Sequence, residues 1–261
     1  MKMLHSLLWT ALLLSLAACN DAPSPPAIAP AAPPEPASPT AAPPTAAPTT
    51  PLRARMQGHF RFARAARTGL IRGDVAETKN AMAELARVQS IEGLPTELEP
   101  MLPAMRDAAS QVASAHTLRE VGAGLANTLV TCAGCHQHVE TGPHFATPPL
   151  PEGDTVQVHM QRHHWAADRL WEGLVQPSDE DWNAGADALS NSRLDPAELQ
   201  IPDAQRATAA TLIQHVYDLG EQAKSAATPD ARAAIYGQFI ATCATCHRLV
   251  HGGPAAEAAN P

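Results

Sequence analysis

The residues best suited to chemistry in this chain form one short motif that occurs twice. Two cysteines three residues apart are followed at once by a histidine at 132–136 (CAGCH) and again at 243–247 (CATCH). The spacing Cys-x-x-Cys-His is that of haem c attachment, in which the two thiols form thioethers to the porphyrin and the histidine coordinates the iron. The motifs therefore predict two covalently attached haem c groups, with thioethers at Cys132, Cys135, Cys243 and Cys246 and with His136 and His247 as proximal iron ligands.

The fifth cysteine lies in an N-terminal export signal. A short positive start and an apolar stretch precede Cys19, and the stretch is too short for a stable transmembrane helix. The segment LAAC at 16–19 resembles the lipobox of bacterial lipoproteins, although a plain signal peptide with an incidental cysteine is the alternative. We expect a lipoprotein signal peptide at 1–18 and a lipid anchor on Cys19, so that the protein faces the periplasm from the cell envelope. Asn20 directly after the cysteine favours the outer membrane over the inner membrane.

Three other interpretations of the repeated motif are a thiol–disulfide redox motif, a zinc site and chance occurrence. A thiol–disulfide redox motif needs no following histidine and belongs beside a βαβ pattern, which this sequence does not show. Four thiolates are a known zinc ligand set, but exported proteins seldom keep such cysteines reduced. Chance explains one copy of the motif more readily than two. The duplication therefore favours haem attachment.

Between the anchor and the first predicted helix the chain is rich in proline. Residues 22–51 contain 12 Pro and 10 Ala. Such a composition cannot bury a core and favours polyproline II and disordered conformations. We therefore expect a disordered Pro/Ala-rich linker over 19–51 that spaces the folded part from the membrane. A proline-rich ligand for a partner domain is the alternative.

The charge balance excludes one class of partner. The chain has 18 Lys and Arg against 26 Asp and Glu, a net charge of −8. Nucleic-acid binding requires local positive charge to neutralise phosphates, so no nucleic-acid partner is expected. An acidic surface suits basic redox partners in weak, salt-sensitive complexes.

The rest of the chain repeats one module. The motifs lie 111 residues apart, whereas upstream segments align at an offset of 104, so the second copy has gained seven residues. The segments aligned at 104 are 56–59 with 160–163 and 69–71 with 173–175. The duplication predicts two haem c domains, at 52–147 and 155–253.

Each copy is predicted to contain four helices and no strand. In the first copy, apolar residues at three- and four-residue steps predict a helix that begins near Leu52 and stops at Gly73. Capping sequences predict further helix starts, and no alternating stretch indicates a strand. The predicted starts are at Asp74, Met101 to Pro103 and Thr117 in the first copy, and at Ser178, near Asp203 and at Thr228 in the second.

The position of the motif within each copy suggests a family. Only 14 residues follow His247, so the fold must precede the motif, which ends the fourth helix. This arrangement resembles the class II cytochromes, the cytochrome c′ family, over about 95 residues in each copy. The resemblance implies an all-α protein of two tandem four-helix bundles that follow the signal peptide and linker.

The same resemblance implies where the second axial position of each iron lies. In that family the distal residue lies near the start of the first helix, which faces the end of the fourth. It implies Met56 or His59 as the distal ligand in the first copy, and Met160 or His163 in the second. Five-coordinate iron with an apolar distal side is a third possibility. We expect the neighbouring His159 and His164 to be surface or edge residues rather than ligands.

Electron transfer is the function that this pattern favours. Two fully coordinated one-electron centres on a membrane-anchored protein would pass electrons between redox partner proteins in the periplasm. The alternative is a five-coordinate haem module that binds or senses nitric oxide or carbon monoxide. Di-haem peroxidases carry chain after each motif that this sequence lacks, so we expect an electron-transfer protein rather than an enzyme, with peroxidase activity left open.

Overall fold

The computed structural model describes residues 51–138, 142–143, 145–191 and 193–250, and within these ranges the chain is helical with no strand. The predicted all-α class is confirmed. The signal peptide, Cys19 and nearly all of the proline-rich segment lie outside the described residues. The α-helices are α1 Pro51–Arg72, α2 Val75–Ala86, α3 Leu102–Ser114, α4 Leu118–His138, α5 Val156–Val175, α6 Asp179–Ser190, α7 Asp203–Ala223 and α8 Pro229–Val250. None of these helices is long and apolar enough to cross a membrane.

The predicted helix starts agree with the helix bounds, and four of them, at Asp74, Thr117, Ser178 and Thr228, are capped by side-chain hydrogen bonds. Asp74 accepts from the backbone N of Glu77 at 2.9 Å at the start of α2. At the start of α4, the Thr117 hydroxyl accepts from the N of Glu120 at 3.2 Å, and the Glu120 carboxylate accepts from the N of Thr117 at 2.9 Å. Gly73 ends α1 with a φ of +78°, in the left-handed region that favours glycine. Hydroxyl caps also start α6 and α8, at Ser178 and Thr228.

Helices of the first half, α1–α4, and of the second half, α5–α8, share one core. Within each half the helices pack in chain order, but the most extensive helix pair, α4 with α8, joins the two halves. The helix α1 also packs on α8, and α4 packs on α5. The boundary predicted between 147 and 155 falls in non-helical chain, yet the described residues on both sides of it belong to one compact unit.

Two glycines allow α4 and α8 to touch through their backbones. A Cβ atom built on Gly122 would overlap the carbonyl oxygen of Gly237, and one built on Gly237 would lie 2.9 Å from the carbonyl oxygen of Gly122. Only glycine permits so close an approach, because any side chain would separate the helices. The contact between Gly122 and Gly237 fixes where the two motif-bearing helices meet.

Of the two histidines expected at the surface or an edge, His164 is exposed, whereas His159 is buried. Its exposed fraction is 7%, and its ring centroid lies 4.5 Å from that of His163. The helix α5 packs on α4, α6 and α8, so more than one of its faces is covered. His159 would be exposed if only one face of α5 were covered, but the additional helix contacts bury it.

Candidate functional site

Both motifs lie in the last turns of the two central helices. Cys132 and Cys135 are in α4, Cys243 and Cys246 are in α8, and all four are partly buried. None of them is in a disulfide. A step of three residues is close to one helical turn, so the two sulfurs of each pair lie on one face of their helix.

The surroundings of the cysteines do not favour thiol–disulfide exchange. Burial raises the pKa of Cys132 and of Cys243 to about 12, and it also raises the pKa of Cys135 and of Cys246. Exchange proceeds through the thiolate, which active redox motifs stabilise by lowering the pKa. These thiols are partly buried, and their raised pKa values keep them protonated.

Each motif histidine is held by a backbone carbonyl of the other half. Nδ1 of His136 lies 3.0 Å from the carbonyl oxygen of Val175 at the end of α5. Nδ1 of His247 lies 2.6 Å from the carbonyl oxygen of Ile71 near the end of α1. A carbonyl oxygen only accepts, so Nδ1 carries the proton and donates in both rings. In the neutral ring Nε2 is then the nitrogen with the lone pair, as in a metal-binding histidine whose other nitrogen is anchored.

These two contacts are equivalent under the sequence repeat. Ile71 and Val175 are 104 residues apart, the offset of the first helices, and His136 and His247 are 111 apart, the offset of the motifs. Each half supplies the acceptor that orients the histidine of the other half. The sequence did not predict the acceptors, because any residue type supplies a backbone carbonyl and the repeat alone does not say that the halves exchange contacts.

The two motifs lie at opposite ends of the described helical unit. The helices α1 and α5 are antiparallel, because Arg67 pairs with Asp168 at 2.8 Å while Phe60 packs on Trp171 with ring centroids 6.2 Å apart. The ends of α1 and α5, and the motif histidines they hold, therefore point away from each other. No group of three or more His, Cys, Asp or Glu side chains that could hold a metal ion occurs in the described part of the chain, so the two cysteine pairs do not form one four-thiolate cluster there.

The first candidate distal residues share an end of the molecule with the first motif. Phe60 follows His59 directly and packs on Trp171. Trp171 lies one turn before Val175, whose carbonyl oxygen holds His136. Met56 is one turn earlier in α1, partly buried and packed on the core. Burial, followed by the positive charge of Arg55, lowers the pKa of His59 and favours its neutral ring. The choice between Met56 and His59 stays a prediction.

The second pair of candidates has the matching position. His164 contacts Asp168 at 3.3 Å, and Asp168 pairs with Arg67. Arg67 lies one turn before Ile71, whose carbonyl oxygen holds His247. The neighbouring Met160 and His163 therefore share an end of the molecule with the second motif. The choice between them also stays a prediction.

The sequence analysis did not predict that a methionine, Met101, lies beside the first motif. The Sδ of Met101 lies 3.6 Å from the Sγ of Cys135, and its Cε lies 3.1 Å from a Cβ built on Gly134. Met101 ends the short 3-10 helix that leads into α3. No periodicity or repeat singled it out, because its contact with α4 arises only from tertiary packing.

Comparison with protein-family models, with curated protein sequences and with solved structures found no match. The residues of the two motifs and the contacts they make therefore carry the functional argument.

Proposed function

We propose that this chain is a membrane-anchored di-haem cytochrome c that transfers electrons in the bacterial cell envelope. The observation that carries the proposal is the pair of exchanged hydrogen bonds from His136 and His247 to backbone carbonyls. Each bond fixes the ring and leaves Nε2 as the metal-binding atom, on the same helix as two cysteines at haem-attachment spacing.

The roles of the chain's own residues follow from that geometry. Cysteines in the last turns of α4 and α8 would hold the two porphyrins covalently, and the adjacent histidines would bind iron. The carbonyls of Ile71 and Val175 orient the histidines and raise the basicity of their Nε2 atoms. When bound, haem supplies one reversibly exchanged electron per iron. The distal candidates are Met56 or His59 at the first site and Met160 or His163 at the second.

The helical fold and the predicted N-terminal anchor are consistent with the same proposal. Each half has four helices with the motif on the last, which is the order in the cytochrome c′ family that it resembles. A lipid on Cys19 and the proline-rich segment over 19–51 would tether the helical part to the membrane. Redox partner proteins of the periplasm would supply and accept the electrons.

The first test counts haems in protein matured by a host that attaches haem c. We expect intact-mass spectrometry to find two haems on the wild type and one on either double variant, Cys132→Ser with Cys135→Ser or Cys243→Ser with Cys246→Ser. The matched control is Cys19→Ser, which should lose the lipid and keep both haems. Unmodified thiols at both motifs in the wild type would contradict the proposal.

The spin state of the iron then separates electron transfer from gas binding. Electron transfer predicts low-spin optical and EPR spectra, because a second protein ligand completes each iron. Replacing Met56 and His59 separately by leucine should convert the first site to high spin in one variant only. High-spin spectra in the wild type would instead support the binding of a small gas such as nitric oxide or carbon monoxide.

A further inference from the structure

The two halves place different residue types beside their motifs. The α1 position one turn before the carbonyl that holds His247 is Arg67, and the aligned α5 position, 104 residues on, is Trp171. Trp171 lies one turn before the carbonyl that holds His136. At this matched position one half has a cation and the other half has an aromatic ring, and the two side chains are in contact, with the guanidinium carbon of Arg67 5.6 Å from the centre of the Trp171 ring.

The motif-bearing helices also differ, because α8 has a polar side chain where α4 has an apolar one. Tyr236 lies two turns before Cys243 in α8, and the aligned residue two turns before Cys132 in α4 is Leu125. Both Tyr236 and Leu125 are fully buried. The hydroxyl therefore has no counterpart at the matched position of the first site.

Arg67 and its partners form a charged cluster inside the molecule. Its Nε donates to the Tyr236 hydroxyl at 3.0 Å, and its Nη1 lies 2.8 Å from the Asp168 carboxylate. The Arg67 side chain is 7% exposed, whereas that of Asp168 is 35% exposed. Nη2 of Arg67 is buried without a hydrogen-bond partner in the described residues, so the guanidinium is only partly compensated.

Both members of the ion pair keep their charge. Burial by itself would lower the pKa of Arg67, but Tyr236 and Asp168 outweigh it and raise that pKa above its usual value. Burial by itself would raise the pKa of Asp168, but the hydrogen bond from His164 and the charge of Arg67 lower it overall. This fixed cation contacts Tyr236, two turns before Cys243, and its charge acts on the pKa of Cys243 but of no other motif cysteine, so the pair lies on the side of the second motif.

We propose that the Arg67–Asp168 ion pair raises the reduction potential of the haem held at Cys243 and Cys246 above that of the haem held at Cys132 and Cys135, because the buried, partly compensated cation outweighs the more exposed carboxylate. This inference rests on the proposed function. Oxidised iron carries one more positive charge than reduced iron, so a nearby cation raises the potential and a nearby carboxylate lowers it. The Arg67 side chain is buried and that of Asp168 is only 35% exposed, so water and salt screen both charges less than they screen charges at the surface.

The experiment is a potentiometric titration of the purified holo-protein, followed by visible absorption. The two single-haem variants first assign each redox wave to its site. In the two-haem chain, Asp168→Asn should raise only the second potential and shift the ratio of reduced to oxidised haem about tenfold, or about 59 mV for one electron. Arg67→Met should lower only that potential, and Arg67→Lys should restore it.

The matched control makes the same charge change on the surface. Asp203 also pairs with an arginine, Arg206, at 3.0 Å, but its side chain is 96% exposed. Water and salt screen an exposed pair, so Asp203→Asn should move neither wave.

The outcomes separate the two proposals. If both haems are bound and Asp168→Asn moves neither wave, or moves both equally, the inference about the ion pair is wrong and the proposed function stands. If the wild type binds no haem, the proposed function itself fails. Opposite shifts of the second potential in Asp168→Asn and Arg67→Met, with the first potential unchanged, would support the inference. This holds even if Arg67→Lys restores the second potential only in part.

Discussion

Among single residues outside the motifs, Glu172 has the most perturbed carboxyl group. Its side chain is 10% exposed in α5 and pairs with Arg169, which also contacts Asp181 at 3.2 Å. Burial raises the pKa of Glu172 to about 7, because the attraction of Arg169 is offset by the charges of Asp168 and Asp181. One guanidinium cannot neutralise two carboxylates in a buried site.

This raised pKa makes folding stability depend on pH. The unfolded chain has a glutamate pKa of about 4.3, so the folded state binds the Glu172 proton more tightly. The stabilisation is fully present below about pH 4 and is lost as the pH rises through the folded value. Glu172→Gln should remove that loss, which is on the order of 3 kcal/mol above pH 7, and flatten the profile of unfolding free energy measured by urea titration.

A surface glutamate provides the comparison for Glu172. Glu84 pairs with Arg87 within one turn of α2, and its side chain is 50% exposed. Glu84→Gln should therefore keep the wild-type pH profile. A Glu172→Gln profile that runs parallel to the wild type would show that the carboxyl has the same pKa in the folded and the unfolded chain.

At the scale of the helices, the crossing of α4 and α8 depends on Gly122. Alanine there would force its Cβ into the carbonyl oxygen of Gly237, so the helices must separate. Overpacking of this kind costs about 1–3 kcal/mol, and we expect Gly122→Ala to lower the unfolding free energy by an amount in that range. Thermal unfolding of the holo-protein followed by circular dichroism measures it.

Gly58 is a matched control on the helix α1. A Cβ built there meets only a guanidinium nitrogen of Arg61, at 4.0 Å. Gly58→Ala should be neutral or stabilise by up to about 1 kcal/mol through helix propensity alone. Equal losses of stability in Gly58→Ala and Gly122→Ala would mean that the helix crossing is not the cause.

The helix starts were predictable from sequence, whereas the helix crossing was not. Capping residues such as Asp74 and Thr117 act on backbone groups within three residues, so a local pattern suffices. The crossing joins Gly122 to Gly237, which are 115 residues apart and not equivalent under the repeat offset of 111. The alignment of the copies therefore gave no sign that their last helices touch. The motif residues were predicted, but the carbonyls that orient the histidines depend on this long-range packing.

For the whole molecule, the exchanged histidine contacts make each half necessary to the other. The chain between the halves is also fastened to α5, because Trp165 donates to the carbonyl of Pro148 at 2.9 Å and Arg162 to that of Pro151 at 2.8 Å. A protease site inserted after Glu152, which is exposed, would cut the connection without removing any helix.

Cleavage at that site tests whether the two halves are interdependent. While the chain is intact, α4 meets α8 at a high effective concentration; after the cut, the halves remain together only by their own affinity. We expect the cleaved holo-protein to co-elute as one species when concentrated and to separate on dilution. The absorption bands of both haems should then change together, because His136 loses the carbonyl of Val175 as His247 loses that of Ile71. The uncut insertion variant should show no dependence on concentration, and cleaved halves whose spectra stay constant on separation would instead be independent domains.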